Sequence, residues 1–320
     1  VAPTHEAELV SPSAWSCGHG VGRWQRACGC GGSRPSGWSW DWRGPLRQAV
    51  AGLRDEVFAA FEDRGRTLFR EPWSAAERYG AVLAAPAGSP VLASLLDEQL
   101  VEPGDPAARR RGAAALELVR QALFSATSCG WFFDDLAGIE AVQVLRHAAR
   151  ATELLREVFD VDHDPRLREA LREARANVAG GGTGEEILSS RALPARRTGG
   201  DVLARHALAR WCGALERGEG PEESATRYGL LCVEELEPLT VHRGGGSASH
   251  VAGRAAVTHL RTLERSESTF EVGTDLRRHE LAVRIGGTLV EKPTAPVRDA
   301  LVDATARLAS WGLAREMSPR

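Results

Sequence analysis

Apolar residues recur at three- and four-residue spacing through the first two thirds of the chain, a pattern that predicts amphipathic helices. The clearest apolar stripe follows Gly44 and Pro45, which suit a helix start, and consists of Leu46, Val50, Leu53, Val57, Phe58 and Phe61. Further helices are predicted at about 74–83, 90–100, 107–124, 139–155 and 164–174, and from Asp201 onward. The first two thirds of the chain are therefore predicted to be mainly helical.

The pattern changes from about Thr226 to short runs that are richer in valine and threonine and are separated by turn residues. Such runs predict a small antiparallel sheet, and a last helix is predicted at about 295–311. Helices followed by strands indicate the α+β class rather than an alternating α/β fold. We expect a linker from a missing upstream domain at 1–13, a helical domain at 14–220, and a small β-rich domain with the terminal helix at 221–320.

Residues 14–43, which we call the N-terminal segment, lack aliphatic periodicity. They contain five of the nine tryptophans and three of the six cysteines, together with frequent glycine. Such a composition predicts an irregular segment that is held together by specific side-chain contacts.

Residues 127–135, which we call the aromatic turn, have the sequence TSCGWFFDD. We expect Asp134 or Asp135 to cap the helix that follows, because negative charge is favoured at a helix N-terminus. Trp131 and the two phenylalanines after it belong either to the core or to a binding site.

Cys17-x-His19 and Cys28-x-Cys30 place three thiols and one imidazole within fourteen positions. These are the ligand types of a closed tetrahedral zinc site, although the single-residue spacers are shorter than usual. The leading alternative is a set of packed free thiols with no metal, and Cys129 is a further thiol that the fold could bring close.

The tryptophans suggest carbohydrate binding, because an indole offers a flat apolar face that stacks on a sugar ring and one N–H donor. The candidate set is Trp15, Trp24, Trp38, Trp40, Trp42 and Trp131. The polar side chains expected to bind hydroxyl groups beside them are His19, Arg23, Asp134 and Asp135. Each tryptophan taken singly is also well explained as a core residue.

Composition excludes several classes of protein. The net charge of −3 gives no sign of nucleic-acid binding. Every cation except Lys292 is an arginine, which indicates a GC-rich genome, and we expect a bacterial protein. No apolar run is long enough to span a bilayer, and six cysteines do not form a disulfide scaffold, so we expect a cytoplasmic protein.

Asp134, Asp135 and Glu140 do not obviously form a glycosidase pair, which needs two carboxyl groups facing each other across a bond. The glycine run at 180–184 is predicted to be a linker rather than a phosphate loop, because no Lys-Ser/Thr follows it. No catalytic residue is assigned.

Two groups of residues resemble a known family: 15–24 with 28–30, and 127–135 with the Gly-Ile-Glu and Val-Gln-Val-Leu runs after it. They are similar to domain of unknown function family 3536, which follows the catalytic barrel in one branch of family 57 glycoside hydrolases. The resemblance covers about 14–272 and fades after that.

The resemblance implies a helical, substrate-side portion of an enzyme acting on α-glucans, whose catalytic barrel and Glu/Asp pair would lie upstream of Val1. It implies an α-glucan or oligosaccharide and that barrel as partners, with Trp24, His19, Arg23 and Trp131 lining the groove. No catalytic residue carries over and no cofactor is implied. The alternative function is a binding or structural module built on the Cys/His cluster, with zinc as its cofactor. A weaker third possibility is a complete hydrolase that uses Asp134 or Glu140.

Overall fold

The computed structural model describes residues 10–30, 35–196, 198–217, 225–243, 249–275 and 280–290, together with the isolated positions 5, 8 and 299. Contacts divide the chain into two compact units. The first unit comprises 1–80 and 95–196, and the second comprises 81–94 and 197–320. The helix at 199–217 therefore belongs to the unit that contains the sheet. The domain boundary at 220 that we expected from the sequence stays a prediction.

Helices dominate the described part of the chain up to residue 217. They are α1 Arg43–Asp63, α2 Pro72–Ala84, α3 Val91–Gln99, α4 Pro106–Phe124, α5 Cys129–Phe132, α6 Ile139–Phe159, α7 Asp164–Arg172, α8 Gly184–Ile187 and α9 Gly199–Arg217. Short 3-10 turns lie at Gly22–Trp24, Arg64–Thr67 and Leu193–Ala195, and a π-helical turn at Leu188–Ala192.

The strands follow the helices. They are β1 Ala225–Tyr228, β2 Leu231–Glu235, β3 Thr240–Arg243, β4 Ser249–His259, β5 Arg265–Asp275, β6 Glu280–Ile285 and β7 Thr288–Leu289. All the described pairings are antiparallel, in the order β1-β2-β4-β5-β6-β7, with β3 paired to the first part of β4. The predicted α+β class, mainly helical with a C-terminal antiparallel sheet, is confirmed.

The core of the first unit forms where α1, α4 and α6 pack together, with α7 against α1. The predicted α1 stripe is buried at Leu46, Val50, Leu53, Val57 and Phe61. Helix α4 starts where the side chain of Asp105 accepts hydrogen bonds from two backbone N–H groups, as an N-cap residue does.

The core of the second unit lies between α9 and the sheet. Its fully buried residues include Trp211 and Ala207 of α9 and Val233, Phe270 and Val272 of the sheet. The apolar stripe of α9 and the inward side of the strands thus cover each other and keep each other out of water.

Some predictions fall on residues that are not described. The predicted last helix at 295–311 lies outside the described residues apart from Asp299, and so does most of the predicted linker at 1–13. Among the helices that the structure describes, none is both long enough and apolar enough to cross a membrane.

Candidate functional site

The N-terminal segment folds back onto the aromatic turn, about a hundred positions away along the chain. The indole N–H of Trp24 donates a hydrogen bond to the backbone oxygen of Ser128 at 2.9 Å. The indole N–H of Trp131 donates to the backbone oxygen of Arg43 at 3.0 Å. The ring centroids of Trp15 and Phe132 lie 6.0 Å apart. The two unusual stretches of the sequence therefore form one region of the first unit.

The fully buried guanidinium of Arg43 links the two stretches. It donates to the backbone oxygens of Cys30 and Phe133, each at 3.2 Å. Burial lowers the pKa of Arg43 to about 10, so the side chain still carries its charge at neutral pH. Among the described residues Arg43 forms no direct ion pair with a carboxylate; its guanidinium contacts backbone oxygens and tryptophan rings, and the charge of nearby Asp134 raises its pKa and so opposes the effect of burial only in part.

The four predicted metal ligands Cys17, His19, Cys28 and Cys30 come together in space within the N-terminal segment. Their ligand atoms all lie within 4.8 Å of one another. The sulfurs of Cys17 and Cys28 are 3.8 Å apart, and Nδ1 of His19 lies 3.2 Å from the sulfur of Cys30. We call these four residues the Cys/His cluster.

Glycines and backbone N–H groups shape the cluster. Gly20 and Gly29 adopt φ angles of 68° and 77°, in the left-handed region that glycine enters without steric cost. The backbone N–H of Cys30 donates to the sulfur of Cys28 at 3.4 Å. Burial pushes the pKa of Cys17 upward, but hydrogen bonds from the backbone of Arg23 and His19 outweigh it and lower that pKa to about 6.

The two predicted aspartates hold loops together instead of capping α6. Asp134 accepts a hydrogen bond from the indole of Trp40 at 3.1 Å. Asp135 accepts one from the backbone N–H of Asn177 at 2.8 Å. The expectation of an aspartate cap is wrong, because the N-cap position of α6 is Gly138, with no side-chain hydrogen bond.

The predicted tryptophans differ in their surroundings. Trp40, Trp42 and Trp131 are buried, and Trp24 and Trp38 are half-buried. Trp15 is 92% exposed. A substrate-binding role stays a prediction for the whole set.

Trp15 does not stand alone on the surface. Phe132 is half-buried beside it, and Phe133 is 48% exposed, with its ring centroid 5.3 Å from that of Phe132. The buried guanidinium of Arg23 lies 4.8 Å from the centroid of the Phe132 ring. We call Trp15, Phe132 and Phe133 the aromatic patch.

Sequence reasoning missed Asn177, which joins the N-terminal segment to the aromatic turn. Its side-chain N–H₂ donates to the backbone oxygens of Ser39 and Asp134, and its side-chain oxygen accepts from the N–H of Ser39. The sequence offers no signal for Asn177 beyond its position inside the 14–272 range of the resemblance. Cys129, by contrast, is exposed and is not a member of the Cys/His cluster.

Comparison with known proteins gives one family. A family model described as "Domain of unknown function (DUF3536)" matches residues 38–318, which include the aromatic turn but not the Cys/His cluster. The match begins later and ends later than the resemblance read from the sequence. Neither the curated proteins nor the solved structures contain a match to the chain. Because the match spans most of the 320 residues, the chain belongs to the DUF3536 family of domains of unknown function.

Proposed function

We propose that this chain is a non-catalytic, carbohydrate-contacting part of a family 57-like glycoside hydrolase that acts on α-glucans. The observation that carries the proposal is the aromatic patch, in which Trp15 is 92% exposed beside Phe132 and Phe133. The patch lies at the aromatic turn, one of the two stretches that carry the resemblance to a domain of such enzymes.

An exposed tryptophan of this kind needs a physical reason. A large apolar face in water is unfavourable, and adjacent exposed aromatic rings often mark a binding surface. A sugar ring has an apolar C–H face with hydroxyl groups around its edge, so it can cover an indole while its polar groups remain in water. An α-glucan matches this chemistry better than a purely apolar ligand does.

The remaining predicted residues would support the patch from behind. Arg23 lies under the Phe132 ring, and Trp24 is bonded to the backbone of the aromatic turn. A buried, hydrogen-bonded Trp131 holds that turn in place. We assign these residues to positioning the patch and Trp15 to direct contact with the sugar.

In this proposal the chain binds the glucan, and a catalytic barrel in the same or a longer chain cleaves the glycosidic bond. The isolated chain is therefore expected to bind α-glucan without cleaving it. Its partners would be the glucan and that barrel, in a bacterial enzyme of carbohydrate metabolism.

A substitution at Trp15 tests the proposal. Titration of the chain with maltoheptaose, or electrophoresis through a gel containing glycogen, is expected to show binding that Trp15→Ala weakens about tenfold or more, a loss of ~1.4 kcal/mol. Because Trp15 is exposed, the substitution leaves the core intact, which circular dichroism checks. Phe133→Leu is expected to weaken binding too, whereas Phe124→Leu, at another partly exposed phenylalanine, is the matched control and leaves it unchanged.

Two results would contradict this proposal. The first is the absence of any binding to α-glucans, or equal binding by the wild-type and Trp15→Ala chains. The second is cleavage of a glucan by the isolated chain that Asp134→Asn or Glu140→Gln abolishes, which would favour a complete hydrolase instead.

The Cys/His cluster supports a second candidate function, a structural module that shapes this end of the first unit. The supporting observation is that four ligand-type atoms lie within 4.8 Å of one another. The two candidates are compatible, because a structural cluster can also hold a binding surface in position.

A further inference from the structure

We propose that Cys17, His19, Cys28 and Cys30 bind one zinc ion in a closed, structural Cys₃His site. The inference does not depend on carbohydrate binding, because it rests on the ligand atoms of the cluster and on the charges around them.

The spacing of the ligand atoms fits a tetrahedron around zinc. With Zn–S bonds of about 2.3 Å, two sulfurs of a tetrahedral site lie about 3.8 Å apart, and a sulfur and a nitrogen slightly closer. The sulfurs of Cys17 and Cys28 are 3.8 Å apart, and His19 Nδ1 is 3.2 Å from the sulfur of Cys30. All pairs lie within 4.8 Å, so small side-chain movements suffice to place four ligands around one ion.

The kind of ligand selects the metal. Three sulfurs and one imidazole favour zinc over magnesium or calcium, which prefer oxygen ligands. A disulfide between Cys17 and Cys28 would require sulfurs about 2.0 Å apart, far closer than 3.8 Å. Since the protein supplies all four ligands, no position remains for a catalytic water.

The charges around the cluster also favour a bound zinc ion with thiolate ligands. Arg23 and Arg43 are both buried, and in the described part of the chain neither forms an ion pair with a carboxylate. The Nε atom of each also lacks a hydrogen-bond partner. A buried cation without a directly paired counter-charge is costly, and for Arg43 the charge of Asp134 offsets this cost only in part. A zinc ion with three thiolates carries a net charge of −1, which would partly compensate these two guanidinium groups.

The backbone also favours thiolates at this position. The N–H of Cys30 points to the sulfur of Cys28, and glycine at positions 20 and 29 permits the tight turns that single-residue spacers require. Added bulk at Gly22 would meet the Cβ atoms of both Cys28 and His19 at 3.3 Å. Local structure thus brings the two ligand pairs together despite their short spacers.

Zinc at this position would connect the two stretches of the region. The carbonyl of Cys30 accepts from Arg43, which also binds the carbonyl of Phe133 in the aromatic turn. Trp24, between the two ligand pairs, donates to Ser128. Loss of the metal is therefore expected to loosen the N-terminal segment and, through these contacts, the aromatic turn.

Metal analysis of the intact chain tests the proposal. We expect protein purified under reducing conditions to carry one zinc per chain by mass spectrometry of the metal, and Cys28→Ser and Cys30→Ser to lose it. Cys129→Ser is the matched control, because Cys129 is an exposed cysteine outside the cluster, and it is expected to keep the metal. Zinc retained in both cluster variants, or absent from the wild-type chain even after incubation with zinc, would overturn the inference.

Cobalt exchange in the wild-type chain identifies the kinds of ligand without any substitution, and His19 variants then add to this. Chelation of the wild-type chain followed by Co²⁺ is expected to give thiolate-to-cobalt charge-transfer absorption and the visible bands of a tetrahedral site. His19→Cys, which supplies a fourth thiolate, is expected to retain the metal, whereas His19→Ala binds it more weakly. Cobalt spectra without thiolate absorption would contradict the proposed site.

Discussion

Gly130 lies in the aromatic turn and packs closely against α6. A Cβ atom at this position would lie 2.4 Å from Cγ2 of Val144, a distance that real side chains do not tolerate. Gly130→Ala is therefore expected to destabilise the protein by about 1–3 kcal/mol, as other substitutions that overpack a core do. Urea unfolding measures the difference.

The control for this prediction is Gly52→Ala. Gly52 lies exposed within α1, and nothing stands within 4 Å of an added Cβ. It is expected to stabilise the protein slightly, because alanine favours a helix more than glycine does. Equal effects of the two substitutions would show that the turn does not pack on α6 as described.

The residues of the Cys/His cluster were predictable because they lie close together in the sequence and have the side chains that zinc binds. Arg43 and Asn177 were not, because each of them donates to a backbone oxygen that lies more than 80 positions away in the sequence. A hydrogen bond between distant segments leaves no local pattern.

For Asp134 and Asp135 the sequence did contain a local pattern, but the pattern led to a wrong prediction. Two acids before a helix look like a cap, but Asp134 binds the indole of Trp40 and Asp135 binds the backbone of Asn177. Tertiary contacts therefore took the place of the local helix-capping interaction.

At the scale of elements, the positions of the helices were predictable from their apolar stripes, because an amphipathic helix is stabilised by burying its apolar side. The start of helix α7 illustrates how burial of a histidine makes the stability of the protein depend on pH. His163, just before α7, is buried, with Nδ1 3.8 Å from Glu56 of α1. Burial lowers the pKa of His163, and Glu56 offsets this only in part.

The sign of the effect follows from linkage. Above pH ~6.5 the imidazole is neutral in both states, and as the pH falls below this value the unfolded chain takes up the proton first. The contribution of His163 to stability is therefore present above pH ~6.5 and is lost as the pH falls through the lowered folded-state pKa.

Urea unfolding at several pH values between 7.5 and 5 tests this prediction. The free energy of unfolding is expected to fall with pH in the wild-type chain and to fall less steeply in His163→Gln. His242→Gln, at an exposed histidine of β3, serves as the control and keeps the wild-type slope. A slope unchanged by His163→Gln would contradict the assignment.

At the scale of the whole molecule, the α+β class was predictable because helical and strand patterns occupy different parts of the chain. The grouping of α9 with the sheet was not, because its stripe resembles that of every other amphipathic helix, and only the strands that it meets decide its partner.

Amide hydrogen exchange tests most directly whether the Cys/His cluster holds the N-terminal segment against the aromatic turn. In the metal-loaded chain we expect peptides from 14–30 and from 127–135 to be protected, and both to lose protection when a chelator removes the metal. Peptides from α4, whose residues 112–119 are buried in the core, should stay protected throughout. Rapid exchange of 14–30 in the metal-loaded chain, or protection of 127–135 that is unaffected by the chelator, would contradict this role of the cluster.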